Sequence, residues 1–334
     1  MENVRKIDVS DLRVGMYVVD TGLSWIDYPL LYSEEGTIAD ASQLETIVEQ
    51  GYKHVFIDPE RGPAGPVEES PSPGDMAAPG ELPDEPAPDK VPIEEEMAVA
   101  RKLYSDSLRF AHEFLEDVKN GTRIDIKQSE RFVDEMIDSV MRNADALVSL
   151  SKLRAFDEYT FTHSINVAVL SLAFGKHLKL NREAMQVLGS SALFHDVGKA
   201  LIPEEILNKP GRLTDEEFAV IKSHPAKGHE IMKKQVGIDK RILRGIAEHH
   251  EKINGNGYPR RLSGDKIGLM GKLISLADVY DALASRRVYK TSYNHDMVRA
   301  IIMQDRGTHF DPRLVDAFLE VELKFVEIFH QFNE

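Results

Sequence analysis

Five histidines and two aspartates between residues 163 and 278 of this 334-residue chain fall on successive predicted helices or helix ends. Imidazole and carboxylate groups are costly to desolvate unless something pairs with them. In helical bundles such groups often project from facing helices into a shared core and bind metal ions there. A single ion would not use so many ligands, whereas two ions could, with one aspartate bridging them. The seven candidate metal ligands are His163, His195, Asp196, His224, His249, His250 and Asp278.

Any one of the twelve histidines, taken alone, would more often be a satisfied core or surface residue than a metal ligand. The candidate ligands differ because they recur on successive predicted helices or helix ends. Adjacent pairs such as "HD" and "HH" suit helix ends, since neighbours inside a regular helix point about 100° apart. For His224 the following proline favours a bend over a helix. The histidines left in the ordinary class are His54, His112, His177, His295 and His330.

Basic residues near the candidate ligands could contact a phosphate. Lys199 follows Asp196 by three residues, and it could stabilise charge on a reacting group or be a solvent-facing lysine at a helix end. In "SRRVYK", Arg286 and Lys290 lie four residues apart and could turn one helical face toward phosphates, whereas Arg287 could simply be solvated.

Three further features have two interpretations each. Asn166, one turn beyond His163, could bind a ligand or satisfy a polar gap. The segment "NGNGYP", residues 254–259, has the composition of a tight turn. His309 in "GTHFDP" could be another ligand, but we expect it to fix the loop before the last helix.

The elements that must position these residues are predicted to be helices. Apolar residues recur at helical spacing over residues 97–118, where "NG" follows as a stop, and again over 132–141. Asn181 and Thr214 are predicted N-caps, and Thr214 with Glu217 forms a capping box. The apolar stripes are most simply core contacts, although an exposed one could pair two copies of the chain in a homodimer.

The first part of the chain has a different character. "VRKIDVSDLRVGMYVVD" and "KHVFID" predict short strands, with a helix near residues 42–49, so we expect a small α/β module in residues 1–61 in which Trp25 packs. Residues 62–92 contain nine prolines and seven acidic residues and predict an extended linker that lets the module move. A helical domain is then predicted for residues 93–334.

Composition limits the function classes. The chain is 42% hydrophobic and 29% charged, without an apolar run near the roughly 20 residues that span a membrane. It has no cysteine and its start resembles no secretion signal, so we expect a cytoplasmic protein without disulfides or sulfur-bound metals. A formal net charge of -15 argues against binding of nucleic-acid polymers but leaves small anionic ligands open.

Several motifs resemble the HD-GYP family, bacterial metal-dependent phosphodiesterases that hydrolyse cyclic di-GMP. They are "HDVGK", "HHEKINGNGYP" and "LADVYDALASRRVYK", together with the spaced histidines, and the similarity extends over about residues 155–320 through "IPEEILNKPGRLTDEE" and "GTHFDP". The stretches "VGMYV" and "VFIDPERG" resemble an uncharacterised module often found before such domains. The resemblance implies a mainly α fold, in which a helical-bundle HD-type metallohydrolase domain follows a small α/β module.

The resemblance also implies the metal ligands. It places His163, His195, Asp196 and Asp278 around one ion, and Asp196, His224, His249 and His250 around the other. Some members hold a third metal with a glutamate four residues before the first histidine, where this chain has Tyr159, so we expect two ions. Oxygen and imidazole ligands suit divalent iron, manganese, nickel, cobalt or zinc, and the family favours iron or manganese.

The remaining roles follow from the same resemblance. Lys199 matches the lysine that acts at the reacting phosphate, and Arg286 and Lys290 match positions that touch the dinucleotide. The residues 257–259 match the signature loop, which shapes the pocket and contacts partners including GGDEF-type diguanylate cyclases; they are Gly257, Tyr258 and Pro259. Asn254 stands where aspartate is common, which leaves partner specificity open.

The function expected from this resemblance is hydrolysis of cyclic di-GMP to pGpG, and onward to GMP, by a metal-bound hydroxide. Two alternatives remain. One keeps the metals but uses another cyclic dinucleotide or a nucleotide monophosphate as substrate. The other is a cyclic di-GMP sensor or interaction protein that acts through the signature loop or the N-terminal module. The complete ligand set favours an enzyme over the sensor.

Overall fold

The structure is a computed structural model. It describes residues 4–19, 31–32, 34–50, 52–63, 90–121, 125–151, 159–209, 213–285 and 295–331. The predicted phosphate contacts Arg286 and Lys290, together with Arg287, Trp25 and most of the predicted linker, lie outside the described residues.

The N-terminal module is a small sheet with one helix. Its strands are β1 (Arg5–Asp8), β2 (Tyr17–Val18), β3 (Leu31–Tyr32), β4 (Gly36–Thr37) and β5 (His54–Ile57). Strand β5 runs antiparallel to β1 and β2 and parallel to β3, and β4 pairs with β2. Helix α1 (Ala41–Glu49) begins at Asp40, whose side chain accepts a hydrogen bond from the Gln43 N–H. The predicted α/β character is confirmed.

The rest of the described chain is helical. The long helices are α2 (Ile93–Lys119), α3 (Ile126–Arg142), α5 (Tyr159–His177), α6 (Arg182–Phe194), α11 (Leu269–Ser285) and α13 (Pro312–Gln331). The shorter ones are α4 (Ala144–Leu150), α7 (Glu204–Leu207), α8 (Asp215–Ile221), α9 (His224–Lys233), α10 (Lys240–Glu248) and α12 (His295–Gln304). Each helix in the described residues is too short or too polar to cross a membrane.

Helix α5 lies at the centre of this bundle. Its residues 162–176 are buried on all sides, as expected for a helix without a polar face. Helices α2, α6 and α11 pack around it, and α10 packs on α6 and α11. The centre of the domain is therefore formed by the helices that contain the candidate ligands.

Local signals explain where these helices begin and end. The Asn181 side chain accepts a hydrogen bond from the Ala184 N–H, and Thr214 and Glu217 form the predicted capping box. Helix α2 ends at Asn120, and Gly121 follows with a φ of 66°. The bend expected at His224 is wrong, because His224 is the first residue of α9. Pro225 is tolerated there, since amides of a first helical turn have no partner within the helix.

The N-terminal module packs directly against the helical domain. Its own core contains Leu12, Met16, Ile38 and Ile47. Three other buried residues of the module, Val4, Val19 and Phe56, belong instead to the core of the helical domain. The sequence predicts a module that moves on its linker, whereas the structure shows a docked one.

Candidate metal centre

The seven predicted ligands meet in one buried cluster. They come from the second turn of α5, the residues that follow α6, the start of α9, the residues that follow α10 and the middle of α11. Each of the seven side chains is buried. Residues that lie up to 115 positions apart in sequence are thus brought together at the ends and faces of neighbouring helices, as bundle metal sites require.

Asp196 stands between two groups of ligand atoms. Its Oδ2 lies 3.4 Å from His195 Nε2 and 3.8 Å from His163 Nε2. Its Oδ1 lies 3.2 Å from His224 Nε2 and 4.0 Å from His249 Nε2. Each oxygen of this carboxylate therefore faces a different group, so Asp196 could contribute a ligand atom to both.

Each group is compact enough to hold an ion. One ligand atom from each of Asp196, His224, His249 and His250 lies within 4.8 Å of the others, and the same holds for His163, His195 and Asp196. Asp278 extends the second group, with its Oδ1 3.0 Å from His163 Nε2 and 4.0 Å from His195 Nε2.

Backbone carbonyls fix the tautomer of three histidines. The Nδ1 atoms of His195, His224 and His249 lie 2.6, 2.8 and 2.7 Å from the carbonyl oxygens of Ala192, Ile221 and Ile246. A carbonyl can only accept, so each Nδ1 carries the proton and each Nε2 presents a lone pair to the cluster. This is the arrangement that orients metal-binding histidines.

The resulting lone pairs fit a cation. His224 Nε2 and His249 Nε2 lie 3.2 Å apart, so with Nδ1 protonated two acceptors face each other. Among the described residues, His195 Nε2, Asp196 Oδ1 and His250 Nε2 are buried atoms without a hydrogen-bond partner. With its proton on Nδ1, His224 Nε2 likewise faces Asp196 Oδ1 at 3.2 Å as one acceptor against another. Unsatisfied buried acceptors are costly, and a bound cation removes that cost.

The electrostatics favour the metal-binding forms of His249, His250, Asp196 and Asp278. Burial lowers the pKa of His249 to about 3, with the neighbouring His195 and His224 adding to the effect. Burial, together with His249, likewise lowers the pKa of His250. Burial raises the pKa of Asp196 and Asp278, but nearby cations outweigh this effect. Lys199 and His195 hold the pKa of Asp196 below its usual value, and His163 does the same for Asp278. Anionic carboxylates and neutral imidazoles are the forms that bind metals.

His163 is held from behind by a buried hydrogen-bond chain. Its Nδ1 lies 2.7 Å from Asp281 Oδ2, and the Asn166 amide donates to Asp281 Oδ1 at 3.1 Å. The Tyr104 hydroxyl on α2 donates to Asn166 Oδ1 at 2.7 Å. Burial would lower the pKa of His163, but its bonds to Asp278 and Asp281 outweigh this and raise it well above the usual value. Asn166 thus satisfies a polar gap, and its contact with substrate stays a prediction.

Sequence reasoning missed Asp281 and Tyr104. The available signal for Asp281 was a second carboxylate in the apolar run "LADVYDAL", three residues after Asp278 and on the same helical face. Tyr104 gave no such signal, because its spacing on α2 is that of an ordinary core residue.

Replacing Asp281 by asparagine is expected to weaken metal binding by about 10- to 100-fold, the usual effect of changing a group that orients a ligand. The new amide would place its NH2 against a donor, either His163 or Asn166. Metal titration followed by calorimetry measures the affinity. Asp265→Asn is the control, since that side chain is 97% exposed. Equal affinities in the two variants would contradict the role of Asp281.

Lys199 lies at the edge of the cluster. Its Nζ donates to Asp196 Oδ2 at 2.7 Å, and its side chain is 14% exposed. The turn that carries it, residues 197–201, approaches α9 so closely that a Cβ on Gly198 would lie 2.0 Å from the His224 carbonyl oxygen. Glycine is therefore required in "HDVGK" to bring Lys199 and Asp196 beside His224.

The GYP loop, residues 254–259, covers the other side. The Tyr258 ring stacks on His250, with 4.8 Å between ring centroids, and the Tyr258 N–H donates to the His250 carbonyl oxygen. A Cβ on Gly257 would lie 2.3 Å from the Lys252 nitrogen, so only glycine allows this approach. The peptide bond before Pro259 is cis. Gly257 and Tyr258 thus lie against the candidate ligand His250, and the role of the loop in shaping a pocket stays a prediction.

His309 lies in the loop before α13, as expected. Its carbonyl oxygen accepts from the Ile253 N–H, and its Nε2 lies 3.3 Å from the Ser275 hydroxyl. It belongs to neither ligand group.

Comparisons with known proteins agree with this geometry. The HD domain family matches residues 137–314, and a domain of unknown function matches residues 4–129. The chain is 34% identical to the cyclic di-GMP phosphodiesterase PA4108 of Pseudomonas aeruginosa, over 95% of this chain and 76% of that protein. It is 44% identical to a cyclic di-GMP phosphodiesterase of Vibrio cholerae, over 57% of this chain and 42% of that protein.

A solved structure shares the fold. The HDG"Y"P protein Bd1817 of Bdellovibrio bacteriovorus aligns over 96% of this chain and all of that chain, with a TM-score of 0.55 and 17% identity. With the motifs, the cluster and these relatives in agreement, the chain belongs to the HD domain family, in its HD-GYP form.

Proposed function

We propose that this protein is a metal-dependent phosphodiesterase that hydrolyses cyclic di-GMP. The observation that carries the proposal is Asp196, which faces two groups of histidine ligands with its two oxygens. Two relatives with cyclic di-GMP phosphodiesterase in their names, from Pseudomonas aeruginosa and Vibrio cholerae, support the choice of substrate. The predicted enzyme class agrees with these relatives, and the predicted metal-binding character agrees with the histidine and aspartate cluster.

The finer proposal is that two divalent transition-metal ions bind, one in each ligand group. Iron or manganese is favoured, and nickel, cobalt and zinc also suit imidazole and carboxylate ligands. Such ions lower the pKa of a water molecule and neutralise charge that develops on phosphorus. The cations also balance charge in the site. Two buried aspartates, in a chain of net charge -15, would otherwise repel an anionic substrate.

The chain's own residues complete the reaction. An ammonium has three N–H groups, so Lys199 can hold Asp196 and also stabilise charge on the reacting phosphate. Addition of water to one phosphorus breaks its bond to the 3′ oxygen, which leaves with a proton, and linear pGpG results. A second hydrolysis yields GMP. We retain Arg286 and Lys290 as proposed contacts to the dinucleotide, and the GYP loop as a contact for GGDEF-type diguanylate cyclases.

A second substrate is favoured by one observation. A relative from Vibrio cholerae, 33% identical over 59% of this chain and 38% of its own length, is named a 3′3′-cGAMP-specific phosphodiesterase. Both dinucleotides have two phosphodiester bonds, so the metal centre itself does not distinguish them.

The test is a substrate panel with protein purified without oxygen and loaded with Fe²⁺ or Mn²⁺. Cyclic di-GMP is expected to be converted to pGpG faster than 3′3′-cGAMP, and elemental analysis is expected to find two ions per chain. Faster turnover of 3′3′-cGAMP would replace the proposed substrate. Binding of cyclic di-GMP without turnover under every metal would instead support a sensor.

A further inference from the structure

A glutamine of the helical domain holds the first strand of the N-terminal module. Gln304, at the end of α12, accepts from the Lys6 N–H at 2.8 Å and donates to the Val4 carbonyl oxygen at 2.7 Å. Its amide thus pairs with β1 as a neighbouring strand would. Beside it, Lys6 Nζ lies 3.2 Å from Oδ1 of the buried Asp305. The module and the helical domain are therefore joined by directional polar contacts as well as by apolar packing.

Asp305 opens a tight turn, residues 305–310. Its carbonyl oxygen accepts from the N–H groups of Thr308, His309 and Phe310 at 3.2, 2.9 and 3.1 Å. Its carboxylate also lies 3.9 Å from His309 Nδ1. Asp305, the residue that Lys6 contacts, thus accepts three of the hydrogen bonds that hold the turn.

The turn 305–310 also holds the start of the GYP loop. The carbonyl oxygens of His309 and Thr308 accept from the N–H groups of Ile253 and Asn254 at 3.1 and 3.0 Å. The Ile253 carbonyl oxygen accepts from the Gly264 N–H beyond the other end of the loop. The start of the loop is therefore tied to the turn, and Ile253, which the turn holds, also binds the chain that follows the loop.

The same turn contacts a ligand helix. His309 Nε2 lies 3.3 Å from Ser275 on α11, three residues before Asp278. On the loop side, Tyr258 stacks on His250. The candidate ligands Asp278 and His250, one from each group, are thus connected to β1 through the turn 305–310 and its neighbours.

We propose that the N-terminal module is a positioning element of the catalytic centre: through Lys6 and Gln304 it fixes the turn 305–310, and through that turn the GYP loop over His250. This rests on the proposed function for its effect on turnover, but its structural part does not require that function. Lys6 is a positioning residue, since its ammonium acts on the centre through Asp305 and the turn.

Lys6→Met in the full-length protein tests the proposal. Removing the charge leaves the buried Asp305 carboxylate without its lysine partner. Loss of a partly buried ion pair of this kind is expected to increase the equilibrium constant for local opening of the turn by about tenfold. Hydrogen exchange of the Ile253 and Asn254 amides, measured without substrate, is expected to accelerate by about this factor. The visible spectrum of the Co²⁺-loaded protein is expected to change, because it reports the ligand geometry around His250. The value of kcat/KM for cyclic di-GMP is expected to fall several-fold.

Two variants give the comparison. Lys6→Arg keeps the charge and is expected to retain slow exchange, whereas Lys53→Met makes the same charge change at an exposed position of the module and is expected to change nothing. Unchanged exchange at Ile253 and Asn254 in Lys6→Met would overturn the proposal. So would uniform acceleration of all amides with a lower thermal midpoint, which would show a purely structural role. A wild-type protein inactive on cyclic di-GMP would refute the proposed function and leave the exchange result standing.

Discussion

Asp196→Asn is expected to lower kcat/KM for cyclic di-GMP by about a thousandfold, since loss of a bridging metal ligand removes several kcal/mol of stabilisation from the transition state. Asparagine has nearly the same shape, so the buried site keeps its packing. Asparagine lacks the second carboxylate oxygen. In Asp196 each of the two oxygens faces a different ligand group. Steady-state kinetics and the metal content of the purified variant measure the effect together.

The control for this variant is Asp265→Asn, which removes the same charge from an exposed side chain. It is expected to keep both its metal and its activity. The thermal midpoint of metal-free Asp196→Asn should stay close to that of the metal-free parent. If Asp196→Asn hydrolysed cyclic di-GMP at the parent rate, the two ligand groups would not act as one bridged centre.

Lys199→Met is expected to lower kcat by about 100-fold, the usual effect of removing one donor that stabilises a developing charge. Its metal content is expected to be unchanged, because Lys199 is outside both ligand groups. Methionine retains the length and apolar stem of the side chain. Elemental analysis and kinetics on the same preparation separate the catalytic effect from loss of metal.

Lys233→Met provides the matched comparison, at a side chain that is 60% exposed on α9. It is expected to behave as the parent protein. A Lys199→Met variant that lost metal in proportion to activity would show that the lysine only holds Asp196 in place. A variant with full activity would show that Lys199 takes no part in catalysis.

Together these variants separate three functions of neighbouring atoms. Asp196→Asn tests whether one carboxylate joins the two ligand groups. Lys199→Met tests charge stabilisation at the phosphate, and Asp281→Asn tests the orientation of His163. Their expected effects differ in kind, since only the first and last are expected to change metal binding.

The candidate ligands could be predicted from the sequence because each one interrupts a local pattern. His195 and Asp196 end an apolar helix, His249 and His250 end another, and Asp278 breaks a run of aliphatic residues. The helix caps at Asn181 and Thr214 could be predicted for the same reason, since a cap depends on residues three positions apart. The sequence alone therefore determined the fold class, several of the helices and the residues of the candidate metal cluster.

Only the tertiary structure decided how that centre is supported. Tyr104, Asn166 and Asp281 form one hydrogen-bonded chain behind His163, although Tyr104 lies 62 residues and Asp281 115 residues from Asn166. Lys6 reaches Asp305 across 299 residues, which turns a module expected to move into a docked one. Local periodicity reports which face of a helix is buried, but not which buried polar groups meet, because that depends on how separate elements pack.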